Sequence, residues 1–429
     1  MEREMNYEER RAALYDPFRK EGIFTWDWMH GEEYALADIH LITETERREL
    51  AEATERLGRV FTRTISVVRQ ASVELLAEMG IPREAWKALR VAVWEEVPTV
   101  IGRFDFAQTA QGWKMLELNS DTPTGIVEAF HVNEQACRFF GKKNPNSRME
   151  LHLTRAFQMI IEKYRELGYS TDTIVFSALD WHEEDAGTTK YLLAISGLTG
   201  TFAALKDLRV YNDRLCVLKP DGEHVPIDIL YRLHALEKLA EETDTDGYPT
   251  GAHVLDIIAR RKLAVINPPS AFIAQTKALQ GLIWSLYEAG EFFTAEERDT
   301  IGRYMLPTYF ENCFAGKAPY AVKPIFGREG GGVTLYDIHN QVVERDREEL
   351  YWEQPMIYQQ MAELPSITVE TLKGPYAGYL LWGSFLIGGR ASAIVARVGG
   401  RITGNLSYYL PVGLEDVQNH HGVSAATLT

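Results

Sequence analysis

The feature that most constrains this chain is a strand–turn–strand pattern whose charged side chains recur at regular spacing. Arg103 and Asp105 are two residues apart, and so are Glu117 and Asn119. Because side chains alternate between the faces of a strand, each pair shares one face. A turn near Gln111 would place Asp105 opposite Glu117 and Arg103 opposite Asn119, at cross-strand distances of ~5 Å. The pattern therefore predicts a hairpin with one polar face.

That polar face suggests a metal site. Two carboxylates and one amide, from Asp105, Glu117 and Asn119, form a hard-oxygen set of the kind that binds Mg²⁺ together with waters and substrate phosphates. Arg103 beside them can hold a phosphate or a carboxylate through a bidentate contact. The spacing alone also fits a solvated hairpin face with ordinary salt bridges.

A second pattern places a lysine at the end of an apolar strand, just before a glycine cluster. Lys323 is followed by Gly327, Gly330 and Gly331. Glycines let backbone N–H groups approach phosphate oxygens, and the lysine adds a positive charge. The segment lacks both the Gly-Lys-Ser/Thr of a Walker A loop and a GxGxxG that opens a helix. A glycine-rich hairpin turn is the alternative interpretation.

Three further patterns are open to a functional or a structural interpretation. Gln359 and Gln360 end a predicted strand and could read an adenine edge. Glu183 and Glu184 follow a short strand, at a position where open α/β sheets bind ligands, and they could hold a cationic amine. Alternatively, they belong to the first turn of a helix, where acidic residues are equally typical. Arg397 lies between apolar strand segments, where it could face a phosphate or remain on an edge strand.

Composition restricts the classes of partner. The 429 residues carry a net charge of −16, which disfavours nucleic acid and anionic membranes. The three cysteines are widely spaced and odd in number, so we expect neither a disulfide framework nor a cysteine metal site. The charged start and the lack of a long apolar run predict a cytoplasmic protein.

Several segments, taken in order, resemble the synthetase domain of glutathionylspermidine synthase and its stand-alone bacterial relatives. The resemblance covers most of the chain, and its specificity lies in the number and order of the segments. They read GIFTWDW, RFDF, KMLELNSDTPT, NPPS, TKAL, KPIFGREG, IYQQ and ITGN.

The resemblance implies an α/β protein with the ATP-grasp fold, in which the nucleotide lies between two lobes. The remainder would be a helical N-terminal region, a preATP-grasp-like α/β substrate domain and a loose tail. The implied boundaries are 1–95 for the N-terminal region, 96–140 with 266–412 for the ATP-grasp lobes, 141–265 for the substrate domain and 413–429 for the tail.

The resemblance also implies cofactors, ATP and Mg²⁺, and a role for each candidate residue. Asp105, Glu117 and Asn119 match the magnesium ligands. The remaining matches are the catalytic arginines Arg103 and Arg397, the ATP-binding residues Lys277, Lys323, Gly327, Gly330, Gly331, Gln359 and Gln360, and the substrate-side residues Ser120, Thr122, Thr124, Glu183 and Glu184.

The implied reaction joins a carboxylic acid to an amine through an acyl phosphate. Two segments depart from the family pattern on the substrate side, YRLHALE at 231–237 and DTPT at 121–124, so glutathione and spermidine are not implied as substrates. A phosphotransferase acting on a small molecule and a nucleotide-binding protein without turnover remain alternatives. The sequence predicts no oligomeric state.

Overall fold

The computed structural model describes residues 5–244, 246–328, 330–346, 351–404 and 407–416. Helices and strands are mixed along the whole of this part of the chain. Its α-helices are α1 Tyr7–Glu21, α2 Glu44–Val68, α3 Val73–Glu78, α4 Trp86–Leu89, α5 Asn133–Phe139, α6 Glu150–Glu166, α7 Glu183–Ile195, α8 Leu236–Glu241, α9 Thr250–Ala259, α10 Ala278–Ala289 and α11 Ala295–Tyr304.

The strands of the described residues fall into six sheets. They are β1 Trp28–Met29, β2 Glu32–Glu33, β3 His40–Ile42, β4 Ile101–Thr109, β5 Gly112–Asn119, β6 Ile174–Ala178, β7 Thr201–Ala204, β8 Leu208–Tyr211, β9 Arg214–Leu218, β10 His224–Pro226, β11 Ile229–Arg232, β12 Ala264–Ile266, β13 Thr308–Tyr309, β14 Tyr320–Pro324, β15 Thr334–Tyr336, β16 Val342–Arg345, β17 Met356–Gln360, β18 Ser366–Thr371, β19 Gly374–Ile387, β20 Arg390–Gly399, β21 Tyr408–Leu410 and β22 Val412–Leu414.

The largest sheet is antiparallel and contains the predicted hairpin. Its order is β21-β20-β19-β4-β5, and β18 pairs with β19. In the hairpin, Arg103 faces Asn119 and Asp105 faces Glu117, which confirms the register predicted from the sequence. Because the period is two, the alternate residue Phe104 points to the opposite face, where it packs edge-on against Phe61 of α2 with ring centroids 5.5 Å apart.

A second antiparallel sheet and a parallel sheet complete the frame around the hairpin. The antiparallel one has the order β13-β17-β14-β15-β16 and carries the lysine and glutamine segments. The parallel one has the order β12-β11-β6-β7, with helices in its crossovers. This arrangement matches the alternating helix and strand pattern predicted for the middle of the chain.

A single amide, Asn267, connects the parallel sheet to the hairpin. Its oxygen accepts hydrogen bonds from the backbone N–H groups of Val100 and Ile101 at 2.8 and 2.9 Å. Its nitrogen donates to the backbone carbonyls of Ile101, Ser120 and Asp121 at 2.9–3.0 Å. Asn267 is buried, and these bonds satisfy five backbone groups where β4 begins and β5 ends.

Two local expectations require correction. Apolar residues recur at close to a helical period over 51–79, which by itself predicts one continuous helix. Instead, α2 starts at Glu44, where Thr43 and Glu46 form a capping box, and ends at Val68. A turn then leads to α3, which Ser72 caps.

The second correction concerns the tail predicted from residue 413. Gly413 and Leu414 belong to β22, which pairs in parallel with β3, whereas residues 417–429 lie outside the described part. Among the described residues, no helix combines the length and apolar composition required to cross a bilayer.

Candidate active site

A cavity of about 490 Å³ lies between the large antiparallel sheet and the five-stranded sheet. The polar face of the hairpin forms one wall, and β14, β17 and the glycine loop form the other. Most of the residues selected from the sequence line this cavity: Arg103, Asp105, Glu117, Asn119, Thr122, Thr124, Lys277, Lys323, Gly327, Gly330, Gly331, Gln359, Gln360 and Arg397.

Two arginines hold Asp105 in place. Arg103 binds its carboxylate in a bidentate manner, with Nε–Oδ1 and Nη2–Oδ2 distances of 2.7 and 3.1 Å. Arg397, on the neighbouring β20, donates to the same Oδ2 at 2.9 Å. The remaining Arg103 nitrogen donates to the carbonyl of Thr124 at 2.7 Å, so the guanidinium also orients the loop that follows the hairpin.

Glu117 is paired with a lysine from a distant part of the sequence. The Nζ atom of Lys277 lies 3.2 Å from Glu117 Oε2 and donates to the carbonyl of Gly327 at 2.9 Å. Burial alone would raise the pKa of Glu117, but Lys277 and Lys323 outweigh that effect and lower the pKa to about 2. Glu117 is therefore an anion throughout the physiological pH range.

The structure revises the role predicted for Gln359. Its side-chain oxygen accepts from Lys323 Nζ at 2.6 Å, and its nitrogen donates to Gln280 and Thr308 at 3.1 and 3.2 Å. With both ends of the buried amide engaged, Gln359 orients the lysine and has no free donor for an adenine edge. Gln360 also lines the cavity and remains the candidate for base contact.

We expect nucleotide affinity to depend on pH through Lys323. Burial lowers the pKa of Lys323 to about 8, and only its charged form attracts phosphate. Below pH 8 the lysine is protonated, so affinity is full; above it, the dissociation constant should rise by up to about tenfold per pH unit until the pKa of the complex is reached. Calorimetric titration with ATP from about pH 6.5 to 9.5 measures this dependence.

The control for this experiment is Lys323→Met, which should bind ATP more weakly and lose the slope near pH 8. An identical pH dependence in the variant and in the wild type would contradict the assignment of that slope to Lys323.

The glycine loop contacts the loop after the hairpin through Arg328, a residue that was not selected from the sequence. Arg328 lines the cavity and donates to Thr122 Oγ1 at 3.1 Å and to Glu237 Oε1 at 3.2 Å. Its position within the glycine cluster was the available signal. The adjacent Gly330 has φ +74°, and a Cβ there would lie 2.7 Å from Ile402 Cγ2, so this position requires glycine.

Three predicted substrate-side residues lie outside the lining of the cavity. Ser120 is fully buried, and its hydroxyl donates to the Ala271 carbonyl at 2.7 Å, which gives it a structural role instead of the predicted substrate contact. Glu183 and Glu184 are in the first turn of α7, as the alternative interpretation had it. Glu183 accepts a hydrogen bond from Thr25.

A buried acid that the sequence did not reveal, Glu128, lies beside Tyr34. Glu128 Oε1 accepts from Trp26 Nε1 at 2.9 Å and from the Tyr34 hydroxyl at 3.1 Å. Burial raises the pKa of Glu128, and the charges of Glu128 and Glu184 both act on Tyr34. Burial is the main reason that the pKa of Tyr34 is raised, and the charge of Arg397 partly opposes that rise.

The hairpin residues fit a magnesium ion in donor type and placement. Asp105, Glu117 and Asn119 line one cavity from paired strands. The buried Nδ2 of Asn119 has no hydrogen-bond partner among the described residues, so that contact does not fix which end of the amide faces the cavity, and the oxygen can serve as the ligand. Within the same part of the chain, no group of three or more His, Cys, Asp and Glu side chains could hold a metal. The candidate set differs from such a group because it contains only two carboxylates. An amide oxygen and substrate phosphates would supply the remaining ligands of the ion.

Two antiparallel sheets around a cavity lined with cations, beside a parallel α/β sheet, define the ATP-grasp class of fold. The chain belongs to the glutathionylspermidine synthase preATP-grasp family, whose family model matches residues 7–415.

Curated relatives and a solved structure agree with this assignment. A provisionally named acid–amine ligase of Haemophilus influenzae is 27% identical over 342 residues, which cover 76% of this chain and 78% of that protein. The bifunctional glutathionylspermidine synthetase/amidase of Escherichia coli is 26% identical, over 80% of this chain and 56% of its own length. The apo structure of a glutathione synthetase-like effector from Globodera pallida matches the fold with a TM-score of 0.59 at 12% identity, covering 96% of this chain and 98% of its own.

Proposed function

We propose that this protein is an ATP- and Mg²⁺-dependent ligase that joins a carboxylic acid to an amine and releases ADP. The observation that carries the proposal is the convergence of six cationic side chains on one cavity between two antiparallel sheets. They are Arg103, Lys277, Lys323, Arg328, Arg397 and Arg401. The acid–amine ligase and synthetase names of the relatives support the same reaction class.

The charges in the cavity suit the first step of such a reaction. ATP brings about four negative charges, and a carboxylate adds one more, so the two cannot approach each other without cations. Lys277 and Lys323 enter from the nucleotide side, and Arg103 and Arg397 lie across from them on the large sheet. The carboxylate oxygen attacks the γ-phosphorus, ADP leaves with the electrons of the broken P–O bond, and an acyl phosphate forms.

Asp105, Glu117 and Asn119 would hold the magnesium ion, which when bound neutralises phosphate charge. Arg103 is oriented for the acid because its nitrogens are held between Asp105 and the Thr124 carbonyl. Thr122, Thr124 and Arg328 would contact the acid from the loop side of the cavity. An arrangement of this kind would position the two reactants and stabilise the charge that develops between them, which is how most phosphoryl transfer is accelerated.

The second step requires an amine, and the acidic turn of α7 is the candidate for its position. Glu184 is 9% exposed and lies in the first turn of α7. After burial, the charges of Glu128 and Glu184 raise the pKa of Tyr34, and the charge of Arg397 lowers it. A carboxylate here can attract the ammonium form and accept its proton before attack. The neutral nitrogen then attacks the acyl carbon, the C–N bond forms, the C–O bond to phosphate breaks, and the amine's second proton leaves with phosphate or solvent.

The reaction is tested by its requirement for both substrates. Pooled acids and amines are incubated with the protein, ATP and Mg²⁺, and ADP and new masses are followed together. We expect ADP release only when an acid and an amine are both present, with one amide mass that equals their sum minus water. A phosphorylated hydroxyl compound without an amide would instead establish the phosphotransferase alternative, and bound ATP without ADP release would establish a silent nucleotide-binding protein.

A further inference from the structure

Both carboxylates of the candidate metal set are already paired with cations that belong to the protein. Asp105 accepts hydrogen bonds from Arg103 and Arg397, and Glu117 lies 3.2 Å from the ammonium group of Lys277. A divalent cation that arrives alone must therefore compete with a positive charge of the protein at both carboxylates, and a buried charge that loses its partner is costly.

The two pairings differ in how firmly they are held. Arg103 binds Asp105 through two nitrogens and is anchored by a third to the Thr124 carbonyl. Lys277 makes one contact with Glu117, and its only other side-chain bond within the described residues is to the Gly327 carbonyl. A guanidinium fork holds a carboxylate more rigidly than a point charge does, so Lys277 is the cation that can leave.

Lys277 also has a position from which it can change partner. It is 5% exposed and lies immediately before α10, and its backbone N–H donates to the Ile325 carbonyl at 2.9 Å. Its ammonium group contacts Glu117 of the hairpin and the Gly327 carbonyl of the glycine loop, so it lies between these two segments, where phosphates would enter. Phosphate oxygens arriving there offer this lysine an alternative anion.

We propose that Lys277 is an internal cation that occupies the place of the metal at Glu117, so that the divalent ion binds only together with a nucleotide. When phosphate enters, Lys277 transfers from Glu117 to a phosphate oxygen, and Glu117 becomes available to the metal. No charge is left unpaired at any stage, since each ion pair that breaks is replaced by another. This inference rests on the proposed function, because it requires the cavity to bind a nucleotide.

The test measures metal binding directly with Mn²⁺, whose free form is counted by electron paramagnetic resonance. Wild-type protein is titrated with and without a non-hydrolysable ATP analogue, beside Lys277→Met and the control Lys114→Met. Lys114 lies on β5, the strand that carries Glu117, but its ammonium group donates to the carbonyl of Arg303. Its loss therefore changes the net charge by the same amount without removing a contact of Glu117. Lys277→Gln serves as a second variant, and thermal unfolding checks that each protein is folded.

We expect wild type and Lys114→Met to bind Mn²⁺ weakly alone and tightly with the analogue. Lys277→Met and Lys277→Gln should bind Mn²⁺ without nucleotide at least about tenfold more tightly than wild type, because no ion pair must then be broken. Equal nucleotide-free affinity in wild type and folded Lys277 variants would overturn the inference while leaving the proposed function intact. In every sample, binding is counted as the loss of free Mn²⁺ beyond that caused by the same concentration of analogue without protein. Absence of such binding in every sample, analogue included, would overturn the proposed function and the inference with it.

Discussion

In the Asp105→Asn variant, ADP release that depends on acid and amine is expected to fall by about 10²–10³-fold or more. The substitution keeps the shape of the side chain but removes an anion that pairs with Arg103 and Arg397 and would bind the metal. Both arginines then lose the partner that orients them toward the reacting groups. The measurement is steady-state ADP formation with a coupled assay at saturating ATP.

Glu117→Gln should show a loss of the same order, because it also removes an anionic ligand at constant shape. Glu96→Gln is the matched control: Glu96 is an exposed carboxylate just before β4 that does not line the cavity, and this variant should retain wild-type turnover. If Asp105→Asn keeps more than about a tenth of the wild-type rate, the hairpin is not the metal and phosphate site.

The Asp121→Asn variant is expected to lose about 3–5 kcal/mol of its free energy of unfolding. Asp121 is buried and accepts from both terminal nitrogens of Arg232, at 3.1 and 2.6 Å, and from the backbone N–H of Leu236 at 2.9 Å. Asparagine preserves the volume but leaves the buried guanidinium without an anion. Denaturant unfolding followed by circular dichroism measures the change.

Two further variants test whether the loss of stability is specific to the Asp121–Arg232 pair. Asp221→Asn, in an exposed turn, should change stability by less than about 0.5 kcal/mol. Combining Asp121→Asn with Arg232→Met should recover part of the loss, because the charge that lacks a partner is then removed as well. A single variant as stable as wild type would show that the pair is not needed for folding.

The Asp121–Arg232 pair also joins the two segments that we expect, from the sequence, to depart from the family pattern. DTPT begins at Asp121, and YRLHALE contains Arg232 and Leu236. In the structure these residues bond to one another, and Glu237 from the second segment binds Arg328 of the glycine loop. One connected group therefore joins the loop after the hairpin, the parallel sheet and the glycine loop.

The hairpin could be predicted from the sequence because its determinants are local. Side chains alternate along a strand whatever surrounds it, and a short turn determines which residues face each other. The pairing of Asp105 with Glu117 required no knowledge of the rest of the chain. The lysine before the glycine cluster was visible for the same reason, since glycine and strand signals occupy adjacent positions.

Contacts between distant segments could not be predicted from local patterns. The sequence predicted that Gln359 could contact adenine, but its amide is hydrogen-bonded to Lys323, Gln280 and Thr308. Ser120 stood in a substrate-like motif, but its hydroxyl faces the Ala271 carbonyl. A side chain's function depends on which partners satisfy its hydrogen bonds, and those partners come from elements that only folding brings together.

By itself, the sequence determined the hairpin, its register, the α/β alternation and the inventory of charges, all of which follow from backbone periodicity and composition. Only the tertiary structure decided which charges neutralise each other: Lys277 with Glu117, Arg397 with Asp105, and Arg232 with Asp121. Arg232 and Asp121 are 111 residues apart in the chain, and Arg397 and Asp105 are 292 residues apart. Electrostatic attraction depends on the distance between two charges in space, and for residues far apart in the chain that distance is determined by how the sheets pack. Such pairs therefore produce no periodic pattern in the sequence.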